Sequence, residues 1–159
     1  MNRNKLLKPI QAHEIEWRVQ SQTKNKDKLI VVPYITNRCV MDRFDEAFGW
    51  ENWNNEFLET TNGFICVMKI NTDNGFVVKS DGASKTKIEP DKGGISDSMK
   101  RVAVQFGLGR DLYKYPKVFI ETNNKYIPSW AYSEFTKLVK YIIEHGTYPK
   151  NIVIIKNKS

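Results

Sequence analysis

Apolar residues recur along this chain at two spacings, and the clearest run lies between Gly93 and Tyr115. Ile95, Met99, Val102, Ala103 and Phe106 fall at i, i+4, i+7, i+8 and i+11, one stripe along a helix. Lys100 and Arg101 fall outside the stripe, and Gly107 and Gly109 supply the backbone freedom that ends a helix. Val40, Phe44, Ala47 and Phe48 share a face over 38–48, with Asn37 as the expected cap and Gly49 as the stop. Trp130, Phe135, Leu138, Val139 and Ile142 mark a helix over 130–145, opened by Ser129 and closed by Gly146. Pro9 followed by Ala12, Ile15 and Val19 predicts a short helix over 9–21, with Trp17 beside it.

Between these lie runs of strand character. Residues 29–35 (LIVVPYI) predict a strand whose Pro33 requires an edge position or a bulge. Segments 51–60, 64–71 and 76–82 predict an antiparallel meander, joined by the turn signals Asn62-Gly63 and Asp73-Asn74-Gly75. Residues 22–28 and 83–94 read as loops, the long stretch from the end of the Gly93–Tyr115 helix to about 128 as irregular, and 151–155 as a short strand. The fold class is therefore α+β: an antiparallel β-meander packed against a long helix, with flanking helices, in a single domain over 1–159.

Composition narrows the function. The chain of 159 residues carries 25 Lys/Arg against 18 Asp/Glu, a net charge of +7, which favours nucleic acid or another anionic surface. Cys39 and Cys66 form no close-spaced cluster, so neither a zinc site nor a disulfide framework is expected. The opening MNRNKLLKPIQ lacks the apolar core of a secretory signal, and no run approaches the roughly 18 apolar residues that span a bilayer. A cytoplasmic protein is expected.

Catalytic readings find little footing. No phosphate-cradling G-x-x-x-x-G-K-[ST] loop is present, and Gly107 and Gly109 follow a helix instead of opening one. His13 and His145, the two histidines, lie at opposite ends of the chain. Asp42, Asp45, Glu46, Glu51, Glu56 and Glu59 cluster in sequence, but the first three share a helix whose solvated face they suit. No catalytic residue, metal ligand or cofactor is assigned. By contrast, Lys92, Lys100, Arg101, Arg110, Lys114 and Lys117 face only Asp97 and Asp111 within 92–117, with Tyr113 and Tyr115 between them. Positive charge interleaved with flat rings suits a flexible polyanion bearing stackable bases. The acidic 42–59 stretch and the basic 92–117 stretch give two charged faces, a pattern suited to head-to-tail assembly.

At these residues the chain resembles a known family. VPYITNRCVMDRFDEAFGWENW (32–53) and SDGASKT with SDSMKRVAVQFGLGRDLYKYP (80–116) are similar to the Rad52/Rad22 single-strand annealing proteins, bacteriophage members in particular. The likeness covers roughly 10–116 and leaves a C-terminal helix and basic tail over 117–159. It implies ATP-independent annealing of complementary strands in recombination and repair, by rings or helical arrays with single-stranded DNA in an outer groove. The family's Lys-Arg pair carries to Lys100 and Arg101, its preceding basic residue to Lys92, its aromatic after Phe-Gly to Trp50. The arginine of its earlier helix carries to Arg38, with a one-residue slip falling on Cys39. A further family arginine is replaced by Val104, for which Arg110 or Lys114 are the candidate substitutes. A phage exonuclease or a host single-strand-binding protein are the expected protein partners, with no membrane. Two rival readings stay open: a metal-dependent nuclease using the 42–59 carboxylates, and a general module such as a double-stranded RNA binder.

Overall fold

The structure, a computed structural model, describes residues 2–87 and 89–157. In chain order the helices are α1 (Arg3–Leu6), α2 (Asn37–Phe48), α3 (Pro90–Phe106) and α4 (Ala131–His145). The strands are β1 (Glu16–Gln22), β2 (Lys28–Tyr34), β3 (Trp53–Thr60), β4 (Gly63–Thr72), β5 (Gly75–Ser84), β6 (Val118–Glu121) and β7 (Val153–Ile155). They divide into two compact units, one of Met1–Lys8 with Ile35–Arg110 and one of Pro9–Tyr34 with Asp111–Ser159.

The first unit holds the expected meander, an antiparallel sheet ordered β3-β4-β5. Alternation along β4 sends Phe64, Cys66, Met68 and Ile70 to one buried face, where Met99, Val102, Ala103 and Phe106 of α3 also bury. Gly94 permits the close approach of helix to sheet, since a Cβ there would lie 2.8 Å from the Phe64 ring. Phe44 of α2 meets the Phe106 ring edge-on at 5.7 Å and the Trp53 ring at 5.3 Å. α1 seals the helix ends: the Asn2 amide donates to the Ala47 carbonyl (3.0 Å) and Arg3 Nε to the Phe106 carbonyl (3.3 Å). Gly107 ends α3 at φ +117°, with Leu7 filling the space a side chain would need.

The second unit contains a four-stranded sheet ordered β1-β2-β6-β7, which overturns several sequence expectations. Residues 9–21 do not form a helix. A single 3-10 turn at Ala12–Glu14 precedes β1, because Ile15, Trp17 and Val19 alternate with Glu16, Arg18 and Gln20 and so line one face of a strand. β2 is central, not an edge. Pro33 is tolerated because β6 pairs only with Lys28–Val31, and the irregularity in register falls in β1 between Val19 and Ser21. β6 occupies part of the stretch read as irregular, and β7 pairs with it in parallel. The buried face carries Leu29, Val31, Val118 and Ile120, and Trp17 stacks on Phe135 of α4 at 4.3 Å.

Smaller corrections concern helix starts. Thr36, not Asn37, caps α2 by accepting from the Cys39 amide (3.3 Å), and Trp130, not Ser129, occupies the cap position of α4. The loop expected over 83–94 is shorter, since β5 runs to Ser84 and α3 begins at Pro90, whose fixed φ suits a first turn.

Candidate nucleic-acid interface

α3 supplies the frame. Its buried side faces the meander through Ser98, Met99, Val102 and Phe106, so the neighbouring positions in the helical repeat turn elsewhere. Arg101 is exposed and Lys100 half-buried. The Ser96 hydroxyl lies 3.4 Å from Asn37 Oδ1, joining the first turn of α2 to the first half of α3. That junction places Arg38, exposed and without a side-chain hydrogen bond or ion pair to any described residue, at the same end. Cys39, the alternative register, is buried, so the outward cation of this turn is Arg38.

The two tryptophans separate. After α2, Gly49 adopts φ +86° and one 3-10 turn spans Trp50–Asn52, held by Asn52 Nδ2 donating to the Phe48 carbonyl (3.0 Å). This turn leaves Trp50 76 % exposed. Trp53 instead packs against Phe44 and donates its indole N–H to Asp45 Oδ1 (2.7 Å). An exposed indole can stack on a base.

The cations of α3 do not stand alone. Lys100 Nζ lies 2.9 Å from Asp97, Lys92 Nζ 3.1 Å from Glu89, and Arg101 Nε donates to Asp81 Oδ1 at 3.0 Å. Lys85, which the sequence did not single out, bridges Glu59 (2.7 Å) and Asp91 (3.3 Å), and Glu59 foremost raises its pKa. Asp81 is gripped from three sides, accepting also from the Gly82 amide (2.8 Å) and from Gln105 Nε2 (3.2 Å). Burial pushes its carboxyl upward, but the bonds from Gln105 and Arg101 outweigh that and hold it below the ordinary range. Arg101 is thus bound through Nε, and its two terminal amino groups make no hydrogen bond among the described residues.

Arg110 and Lys114 have partners of their own. Arg110 donates to the carbonyls of Val104 (2.8 Å) and Gln105 (2.8 Å), adding to the bonds on the last carbonyls of α3. Lys114 belongs to the second unit and sits 5.9 Å over the Tyr148 ring. The 42–59 carboxylates are partly occupied: Asp45 holds the Trp53 indole and Glu46 lies 3.6 Å from Lys8. Among the described residues no group of three His, Cys, Asp or Glu is placed to hold a metal ion, and no helix is long and apolar enough to cross a membrane. The counter-ions were the part sequence reasoning missed. The i, i+3 spacing of Asp97 and Lys100 signals one of them, whereas Asp81 reaches Arg101 only through the fold.

Residues 2–131 match the family described as Rad52/22 family double-strand break repair protein. Two relatives are each named single-stranded DNA-binding protein DdrA. The protein of Deinococcus deserti is 29 % identical over 143 residues, covering 80 % of this chain and 68 % of the relative. That of Deinococcus radiodurans is 27 % identical over 137 residues, covering 80 % and 65 %. The chain thus spans about two thirds of the length of these relatives. No solved structure gives a significant match. With the match extending over most of its length, the chain belongs to the Rad52/22 family.

Proposed function

We propose that this Rad52/22 family member binds single-stranded DNA along α3 and anneals complementary strands without ATP, as a homo-oligomer. The observation that carries the reading is the arrangement on α3: Lys100 and Arg101 on its outer side, Arg38 at the joined end of α2, and exposed Trp50. The name shared by the two relatives adds the ligand class. Annealing asks for no bond to be broken. It asks that phosphates be neutralised while bases stay free to sample register, which cations and an exposed ring supply. Single strands must be generated first, so an exonuclease is the class of partner that precedes this step.

The outward face of the meander supports self-association. Leu58, Phe76 and Val78 are 46 %, 63 % and 55 % exposed on the side away from α3, and β3 and β5 are edge strands of their sheet. Apolar exposure next to open edges marks an interaction surface. One experiment tests both parts. Lys100→Ala/Arg101→Ala protein is compared with the unchanged chain for oligonucleotide binding, strand annealing and mass by light scattering. Binding and annealing should fall by about 2–3 kcal/mol, roughly 30- to 150-fold, with assembly mass unchanged. Normal binding by the double variant, or a monomeric mass with annealing intact, would refute the corresponding half of the reading.

A further inference from the structure

The positive charge of this chain is concentrated away from α3. The unit containing α3 holds thirteen Lys/Arg against eleven Asp/Glu, the other twelve against seven, so five of the seven net charges lie in the second unit. Within that unit two turns meet at one end of the sheet. The β1–β2 turn and the segment after β6 are joined by the Thr122 amide donating to the Asp27 carbonyl (3.0 Å). Gln22 Nε2 adds bonds to the carbonyls of Lys26 (3.2 Å) and Asn124 (3.5 Å). Lys24, Lys26 and Lys125 stand on these joined turns. All three are exposed, and none makes a side-chain hydrogen bond or ion pair to a described residue. The acid of this turn, Asp27, is already matched by Lys28 at 2.6 Å.

Two further features point to a ligand with both charge and rings. Lys26 sits at φ +58°, a left-handed turn position that glycine or asparagine would occupy with less strain. Beside the turn a cavity of about 330 Å³ is lined by Thr23, Lys24, Asn25 and the Asp27–Lys28 ion pair on its polar side and by Phe119, Ile152 and Ile154 on its apolar side. Tyr126, 68 % exposed, lies next to Lys125 in sequence. Unpaired Lys24 lines this apolar, ring-bearing cleft and Lys26 and Lys125 stand on the joined turns beside it, which together offer what a single nucleic-acid strand requires: phosphate neutralisation and a surface for a base.

We propose that this end of the second unit is a separate nucleic-acid contact, in which Lys24, Lys26 and Lys125 take phosphodiester oxygens and the cleft takes a base against Phe119. The site is independent of α3 and does not rest on the α3 reading. The test uses the full chain and a fluorescent oligothymidylate, with anisotropy read across a salt series. Lys24→Ala/Lys26→Ala/Lys125→Ala should weaken binding about tenfold at low salt and flatten the log–log salt slope by about two, as expected at roughly 0.7 per phosphate on a single strand. The same triple change in Lys100→Ala/Arg101→Ala protein should remove the binding left after the α3 change. The matching lysine-to-arginine triple should keep affinity and slope, which separates lost charge from a damaged turn. An unchanged slope would overturn the proposal. So would an equal loss on Lys137→Ala/Lys140→Ala/Lys150→Ala, which removes three charges elsewhere in the unit, or displacement of the oligonucleotide by polyglutamate as readily as by unlabelled strand.

Discussion

Two groups of cations, one on α3 and one at the joined turns of the second unit, are held in opposite ways. On α3, Lys92, Lys100 and Arg101 each have a carboxylate within 3.1 Å, and the unit is nearly neutral. At the joined turns of the other unit, Lys24, Lys26 and Lys125 have no such neighbour. A paired cation contributes little long-range field, but its position is fixed and a phosphate meets it in a set geometry. An unpaired cluster does the reverse: it draws a polyanion from a distance and holds it loosely. The lesson is that a sequence motif locates shape, while net charge locates attraction, and here the two lie in different parts of the fold.

The most damaging way to separate shape from charge is to destroy the frame of α3. Met99 is 3 % exposed between helix and meander, so Met99→Asp buries a charge without a partner. The change should cost about 3–5 kcal/mol, seen as a large drop in urea midpoint. Intact stability would mean that α3 is not seated on the sheet as described.

A smaller effect distinguishes the two rings that flank the 3-10 turn. Trp50→Ala should leave the melting temperature unchanged and cost about 1–2 kcal/mol of oligonucleotide binding, while Trp50→Tyr stays nearly silent. Trp53→Ala should do the opposite, lowering the melting temperature through lost contact with Phe44 and lost bonding to Asp45. Thermal melts and anisotropy on both proteins decide it. Equal behaviour would end the distinction.

The smallest effect tests the counter-ion itself. Asp81 has a folded pKa below the ordinary value of 3.8, so its ionised form adds stability that is present above the unfolded pKa. That stability is lost as pH falls through the folded pKa, below about 4. Urea midpoints measured at pH 5 and near pH 3 should therefore drop less in Asp81→Asn than in the unchanged chain. Parallel drops would mean that Asp81 is not held by Arg101 and Gln105 in solution.

These contrasts show what sequence could and could not reveal. α2, α3 and the meander were legible because apolar spacing and the Asn62-Gly63 and Asp73-Asn74-Gly75 turns agree on one answer. β1 was not, since Ile15 and Val19 satisfy helical spacing until Trp17 is counted with them. β6 is only 4 residues long, too short for a periodic signal, and gains its identity from β2. The outward position of Lys100 and Arg101 followed from the stripe they interrupt. Their carboxylates did not all follow, because Asp81 reaches Arg101 through pairing of β4 with β5 and packing of α3 upon both.

Strand connectivity also sets an order of assembly. In the meander each strand pairs with its neighbour in sequence, so the sheet can zip up as it leaves the ribosome. β2 has this convenience on one side only, through β1. Ile30 must wait for Phe119, and β7 joins β6 only after α4 has been made. Until then the β1–β2 hairpin presents an unfilled edge carrying Leu29 and Val31, in the nascent chain the segment most open to the wrong partner.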